Sequence, residues 1–178
     1  AKLKYEFLFH YYQKHPRRLR DHLFANIDWL APLANPLAGI ANPIMASMLV
    51  RKLFETTIGL ASERIFPEFA PQREKNKIKA WAAVADPDVL FLNDSFSRDF
   101  HPETALAGLQ AIEAAGCKVR VLPVVGAGRP LITKGFLDRA KDHAAKMVAA
   151  IKQIDPDGRL PIVGVEPSEI FTLRDEYA

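Results

Sequence analysis

The residues with the widest chemical range in this 178-residue chain collect in three short segments. The first is Asn93-Asp94-Ser95-Phe96-Ser97-Arg98-Asp99-Phe100-His101-Pro102-Glu103, the second Gly126-Ala127-Gly128-Arg129-Pro130, and the third Glu166-Pro167-Ser168-Glu169. Carboxylates can move protons, and a serine can attack when a base activates it. A glycine-rich turn offers backbone amides to an anion. The candidate ligand-binding set is therefore Asp94, Ser95, Gly126, Ala127, Gly128, Arg129, Glu166, Ser168 and Glu169. Motif tests narrow the chemistry. Neither Ser95 nor Ser168 lies in Gly-x-Ser-x-Gly, and neither has a histidine in a triad arrangement. Gly-Ala-Gly-Arg-Pro-Leu lacks the third glycine of a dinucleotide fingerprint, and Lys134 precedes Gly135 where a phosphate loop has its lysine after the glycine. No catalytic residue is assigned. Each residue also has an ordinary structural role available. Pro102 and Glu103 suit a helix start, Ser168 suits an N-cap, and Arg129 suits a loop-fixing ion pair with Asp94 or Glu166.

The elements that position these segments read as alternating strand and helix. Val89 to Leu92, Lys118 to Val125 and Leu160 to Val165 are apolar, strand-like runs. Helices are expected over Pro102 to Ala115, within Leu131 to Ile154 from about Phe136, and over Ser168 to Tyr177. Continuous apolar strands separated by helices predict an α/β fold with a small three-stranded parallel βαβαβα unit. Ligands of such sheets bind where the strands end and the helices begin, and all three segments fall there.

The amino-terminal half is different. Leu3 to Leu30 carries helical apolar spacing interrupted by Pro16, which predicts two helices bent there. Trp29 to Val50 has no formal charge over 22 positions. Its three prolines and two asparagines argue against a membrane span, so an irregular turn followed by a helix from about Pro43 to Thr57 is expected. A docking face for a partner or a membrane surface stays open for this segment. Residues 66–80, prolines followed by charges, read as an exposed connector. The expected units are a helical region with a proline-rich connector over 1–80 and the α/β domain over 81–178.

Composition limits the function classes. The chain is 49% hydrophobic and 25% charged, with one cysteine. Cys117 alone cannot form a disulfide framework, a cysteine zinc site or a ligand set for an iron–sulfur cluster. His10, His15, His22, His101 and His143 have no metal-ligand spacing, so no metal site is assigned. Residues 1–80 hold 13 Lys and Arg against 7 Asp and Glu, whereas residues 81–178 hold 11 against 14. The cluster Lys14, Arg17, Arg18 and Arg20 reads as a solvated face, and no nucleic-acid partner is expected. The start carries no secretory signal, which points to the cytoplasm. The missing initiating Met and the helix running to Ala178 lead us to expect a longer natural chain.

The order and spacing of the three segments resemble the CCG domain of iron–sulfur oxidoreductases. The resemblance is strongest to the carboxyl-terminal part of fused FAD-linked oxidases of the D-lactate dehydrogenase type, and extends to the glycolate oxidase iron–sulfur subunit. It rests on Phe91-Leu92-Asn93-Asp94-Ser95-Phe96 with His101-Pro102-Glu103, and on Glu113-Ala114-Ala115-Gly116. It continues through Gly128-Arg129-Pro130-Leu131-Ile132 with Lys134-Gly135-Phe136-Leu137, and Glu166-Pro167-Ser168 with Leu173-Arg174-Asp175-Glu176-Tyr177. Lys2 to Leu8 and Arg18 to Ile27 are similar to helices that follow the last cluster cysteine in that family. Where the family pattern has cysteines, this chain has Ser95, Gly126, Ala127 and Glu169. The resemblance thus implies a parent with FAD and iron–sulfur clusters, none of them bound by this chain, and a flavin domain and cluster-bearing segment as partners. It also implies electron transfer to a respiratory acceptor, with a peripheral position on the inner face of the membrane left open. Two functions follow: a cluster-free docking or scaffold unit of a 2-hydroxy-acid oxidoreductase, or a module that binds a small anion or metabolite in the emptied site.

Overall fold

The computed structural model describes residues 2–177, so the expected helix end at Ala178 lies outside the described residues. Helices α1 (Lys2–Lys14) and α2 (Leu19–Ala25) flank Pro16 as expected. Next come α3 (Ile27–Ala34), a 3-10 turn (Asn35–Leu37), α4 (Ala38–Ala46) and α5 (Met48–Ile58). The stretch expected as an irregular turn is therefore helical, with Pro32 and Pro43 inside helices. Pro32 has no N–H for the Asp28 carbonyl one turn back, and Arg98 Nη2 donates to that carbonyl at 2.6 Å. An external donor thus removes the orphaned acceptor that makes an internal proline costly. The expected single helix over Pro43 to Thr57 is instead broken at Ser47, where the chain turns by 82°.

Helix α3, the 3-10 turn and α4 form a rod whose burial pattern is inverted. Trp29, Leu33, Leu37, Ile40 and Ile44, spaced by three or four residues, are each more than half exposed. The opposite face carries Ala31, Asn35 and Ala38, all buried. Asn35 Nδ2 donates to the carbonyls of Ala70 and Asp99 at 2.9 Å each, and Asn42 bonds both the N–H and the carbonyl of Phe69. Small and amide side chains hold the rod to the protein, and large apolar ones point outward.

The connector is less exposed than its composition predicts. It forms α6 (Gln72–Lys77) and a 3-10 turn (Ile78–Trp81), with Ala70 and Ile78 buried. Lys75 reaches inward to Asn35 Oδ1 at 2.6 Å and pairs with the buried carboxylate of Asp99.

The carboxyl-terminal half matches the expected α/β fold. Its elements are β1 (Val89–Leu92), α7 (Ser95–Asp99), α8 (Pro102–Ala114), β2 (Val119–Val121), α9 (Arg129–Thr133), α10 (Leu137–Ile154), β3 (Ile162–Gly164) and α11 (Pro167–Asp175). The sheet is parallel with order β2-β1-β3, and Val89 pairs with Val119 and Leu90 with Ile162. β1 is central and wholly buried, as its unbroken apolar run requires. β2 and β3 are shorter than the apolar runs that predicted them. Phe91 packs with Ile78, Leu109 and Val119 on one face, while Leu90 and Leu92 pack with Met147 and Leu122 on the other. Gly108, inside α8, lies so close to the sheet that a Cβ there would sit 2.8 Å from Val165. A third cluster of Tyr5, Ala25, Leu131, Ile132 and Ala140 joins the helical half to α9 and α10.

Candidate functional site

The three segments converge at the carboxyl ends of the strands, and a buried polar network fills the space between them. Asp94 ends the first strand's loop and caps α7, its Oδ1 accepting from Phe96 N at 2.8 Å and Ser97 N at 3.0 Å. The Ser97 hydroxyl donates to its other oxygen. Ser95, fully buried, donates its hydroxyl to Asp28 of α3. α7 lies in what the sequence presented as loop.

Gly126 and Gly128 adopt left-handed φ values of +60° and +78°. This turn aims the amide of Ala127 at Glu169, whose Oε2 accepts it at 2.5 Å. A Cβ at Gly126 would stand 3.3 Å from that same carboxylate oxygen. The Gly126 carbonyl accepts from His143 Nε2 at 2.9 Å, which fixes the proton on Nε2, and the Ala127 carbonyl accepts from the Tyr177 hydroxyl at 3.0 Å. The Gly126 N–H donates to the Asn93 carbonyl at 3.0 Å, so the turn is also tied to the first loop.

The Glu169 carboxyl is pushed up to about 7, chiefly by burial, with the nearby charges of Asp28 and Asp94 adding to the rise and the Ala127 N–H opposing it. Burial also raises Asp28, opposed by the Ser95 hydroxyl. Tyr177 is raised by burial and by the neighbouring Glu169. Near neutrality Glu169 is thus partly protonated, which eases the repulsion among three carboxyls gathered in one buried place.

Two expected roles are corrected. Ser168 is not the cap of α11: Glu166 is, accepting from Ser168 N at 3.3 Å and from the Ser168 hydroxyl at 2.7 Å. Arg129 does form an ion pair, but with neither Asp94 nor Glu166. Its Nη1 donates to Glu176 at 2.7 Å and its Nη2 to the Tyr5 hydroxyl at 3.0 Å, which fastens α1 to the end of α11. The basic cluster is also not wholly solvated. Arg17 donates to the carbonyls of Lys134 and Gly135 and stacks on Tyr12 and Phe136.

The structure therefore gathers Asp94, Ser95, Gly126, Ala127 and Glu169 and adds Asp28 and His143, which sequence reasoning missed. Asp28 lies 67 residues from Ser95 with no local motif to mark it. His143 carried only helical spacing. Arg129, Glu166, Ser168 and Glu169 also line a mostly apolar cleft of about 770 Å³ between the helical half and the α/β loops.

Ser95 is bonded to an aspartate and has no histidine partner, so the network holds no activated nucleophile. Among the described residues, no three His, Cys, Asp or Glu side chains converge to hold a metal ion. The set also does not fit an iron–sulfur cluster. A hydroxyl and a carboxylate are hard oxygen donors, Gly126 and Ala127 offer no side-chain donor, and Cys117 precedes β2 at the opposite end of the sheet.

Comparison with known proteins finds relatives that are dehydrogenases or a dehydrogenase subunit. It is 28% identical to D-2-hydroxyglutarate dehydrogenase of Escherichia coli K12 and 24% identical to that of Pseudomonas putida, over 96% of its own length in each case. It is 26% identical to one subunit of the anaerobic glycerol-3-phosphate dehydrogenase of Escherichia coli K12 over 89% of its length. The chain is homologous to a part of these proteins. It spans 18% of the length of the two hydroxyglutarate dehydrogenases and 41% of the glycerol-3-phosphate dehydrogenase subunit. The resemblance read from the three loops thus agrees with relatives that match the chain almost end to end. No protein-family model matches it, and no solved structure does. Among the described residues, no single helix is long and apolar enough to cross a membrane.

Proposed function

We propose that this chain is a segment of an FAD-linked oxidoreductase acting on a 2-hydroxy acid, in which it docks the flavin-bearing part of the parent and carries no cluster itself. The relatives support the oxidoreductase class, because two that match 96% of the chain are dehydrogenases of a 2-hydroxy acid. The observation that carries the docking role is the inverted rod of α3 and α4. A face presenting Trp29, Leu33, Leu37, Ile40 and Ile44 to water, while amides face inward, is a surface made to be covered. The loop network supports the same reading. Ala127 N is held by Glu169, Arg129 by Glu176, and the Phe96 and Ser97 amides by Asp94, so the donors an anion would need are already committed. We therefore place docking ahead of anion or metabolite binding in the emptied site.

Co-expression with the flavin-binding part of the parent tests this. The two should co-purify and reduce an artificial acceptor with D-2-hydroxyglutarate, while Leu33→Glu and Ile40→Glu, both at exposed positions, should abolish co-purification without unfolding the chain. Co-purification unaffected by both variants would refute the docking face. Iron analysis and a visible spectrum of the chain should show no stoichiometric cluster; a stoichiometric one would refute the cluster-free role.

A further inference from the structure

We propose that the hollow between α1, the start of α2 and the end of α9 is a binding site for a small organic phosphate monoester. The outward face of α3 and α4 takes no part in it, and the inference extends beyond the docking function without depending on it.

The hollow holds one carboxylate and an excess of cations. Lys4 of α1, Arg18 and Arg20 at the start of α2, and Lys134 just after α9 line it, and Asp21 is the single acidic residue among its lining groups. Both Asp21 oxygens are taken, because Lys134 Nζ donates to Oδ1 at 2.8 Å and the Tyr12 hydroxyl to Oδ2 at 3.4 Å. Among the described residues, no carboxylate stands at ion-pairing distance from Lys4, Arg18 or Arg20. Arg20 Nη1 donates to the Gly59 carbonyl at 3.1 Å, an acceptor without charge. Arg17 adds a further cation with no carboxylate. It stacks on Tyr12 at 4.4 Å and Phe136 at 3.9 Å, and donates to the carbonyls of Lys134 and Gly135. Part of the cluster that composition reads as a solvated face is thus folded into a concave surface, and a concavity of one sign concentrates the potential and draws an anion.

The excess of charge decides which anion fits. A single carboxylate would match one of the three unpaired cations, whereas a phosphate monoester brings up to two charges and three terminal oxygens. A guanidinium takes two such oxygens in parallel, and an ammonium takes the third as a point charge. The hydroxyls of Tyr11 and Thr133 supply neutral donors on the same lining. At about 260 Å³ the hollow is smaller than sites that enclose drug-sized ligands, which limits the organic part to a few heavy atoms or one ring. Leu8, Pro16 and the Tyr11 ring give that part apolar surface to lie on.

Phenyl phosphate is a direct probe, and titration calorimetry of the 178-residue chain should give one saturable site for it. Binding should be at least about tenfold tighter than that of benzoate, which keeps the ring, or of inorganic phosphate, which keeps the charge. Lys4→Gln and Arg18→Gln, both at exposed positions, should each weaken it by about fivefold or more. Lys152→Gln, the same loss of charge at an exposed position in the last turn of α10, should leave it unchanged, with circular dichroism verifying the fold of all three. The proposal is overturned if binding fails to saturate, if benzoate or inorganic phosphate binds as tightly, if the folded Lys4 and Arg18 variants bind as the parent does, or if Lys152→Gln weakens binding equally. A short single-stranded DNA that binds more tightly than phenyl phosphate, and loses that binding in the same two variants, would also overturn it by showing an extended polyanion surface. Because the assay involves no partner, a failed docking experiment leaves this result standing, and the converse holds as well.

Discussion

The carboxylate of Glu169, in the first turn of α11, accepts the backbone N–H of Ala127 at 2.5 Å across 42 residues of sequence. One side chain thereby closes the second loop onto the third. A buried carboxyl held this way links the stability of the loop cluster to pH.

Glu169 has an ordinary value of 4.5 and is raised to about 7 in the folded chain. Between these values the unfolded chain has lost the proton and the folded chain keeps it. Stability is therefore highest below about pH 4.5, falls as pH rises to about 7, and levels off above that, a loss of about 3 kcal/mol from this group. Asp28, also raised, adds to the decline with the same sign. Urea unfolding at pH 5 and pH 8 should show the fall, and Glu169→Gln, which keeps the acceptor but cannot ionise, should flatten it.

Gly126→Ala should cost about 1–2 kcal/mol. The position has φ +60°, and the added methyl meets the Glu169 carboxylate at 3.3 Å. Gly39→Ala, in α4 with open space around it, should be neutral or stabilising. Denaturant midpoints of the two variants give the comparison.

Lys75→Met should destabilise by about 3–5 kcal/mol, because it removes one of two cations from the fully buried Asp99 and leaves Asn35 Oδ1 without its donor. Arg98 remains on Asp99 in the variant. Lys77→Met, whose partner Glu74 lies at the surface, should change stability by less than about 1 kcal/mol. Thermal melts of both separate a buried tie from a surface pair.

Arg129→Ala should free α1 before it unfolds the core. The lost contacts to Glu176 and the Tyr5 hydroxyl tie Lys2–Lys14 to α11, while the sheet is untouched. Limited trypsin digestion should cut within α1 several-fold faster in the variant, with cleavage in α10 unchanged.

The α/β half was legible because its signals are local. Val89 to Leu92 is an apolar run that only a central strand would bury entirely, and it is one. Pro102 and Pro167 stand at the first positions of their helices, where a missing N–H has no cost. The helical half was harder, because Pro32 and Pro43 read as breakers when taken alone. What permits Pro32 is Arg98, a donor 70 residues away, and nothing near Pro32 announces it. The loop site divides the same way. Asp94, Ser95, Gly126 and Glu169 were visible as a set because loops at strand ends converge. Asp28 and His143 were not, because each lies on a helix that only tertiary packing brings to the rim.

The outward row from Trp29 to Ile44 also governs how the chain behaves in a tube. Without something to cover that row, two molecules that collide can shield it by sticking to each other. Scattering, apparent melting temperature and shelf life should then vary with protein concentration, and a mild detergent should restore reversibility without altering the fold.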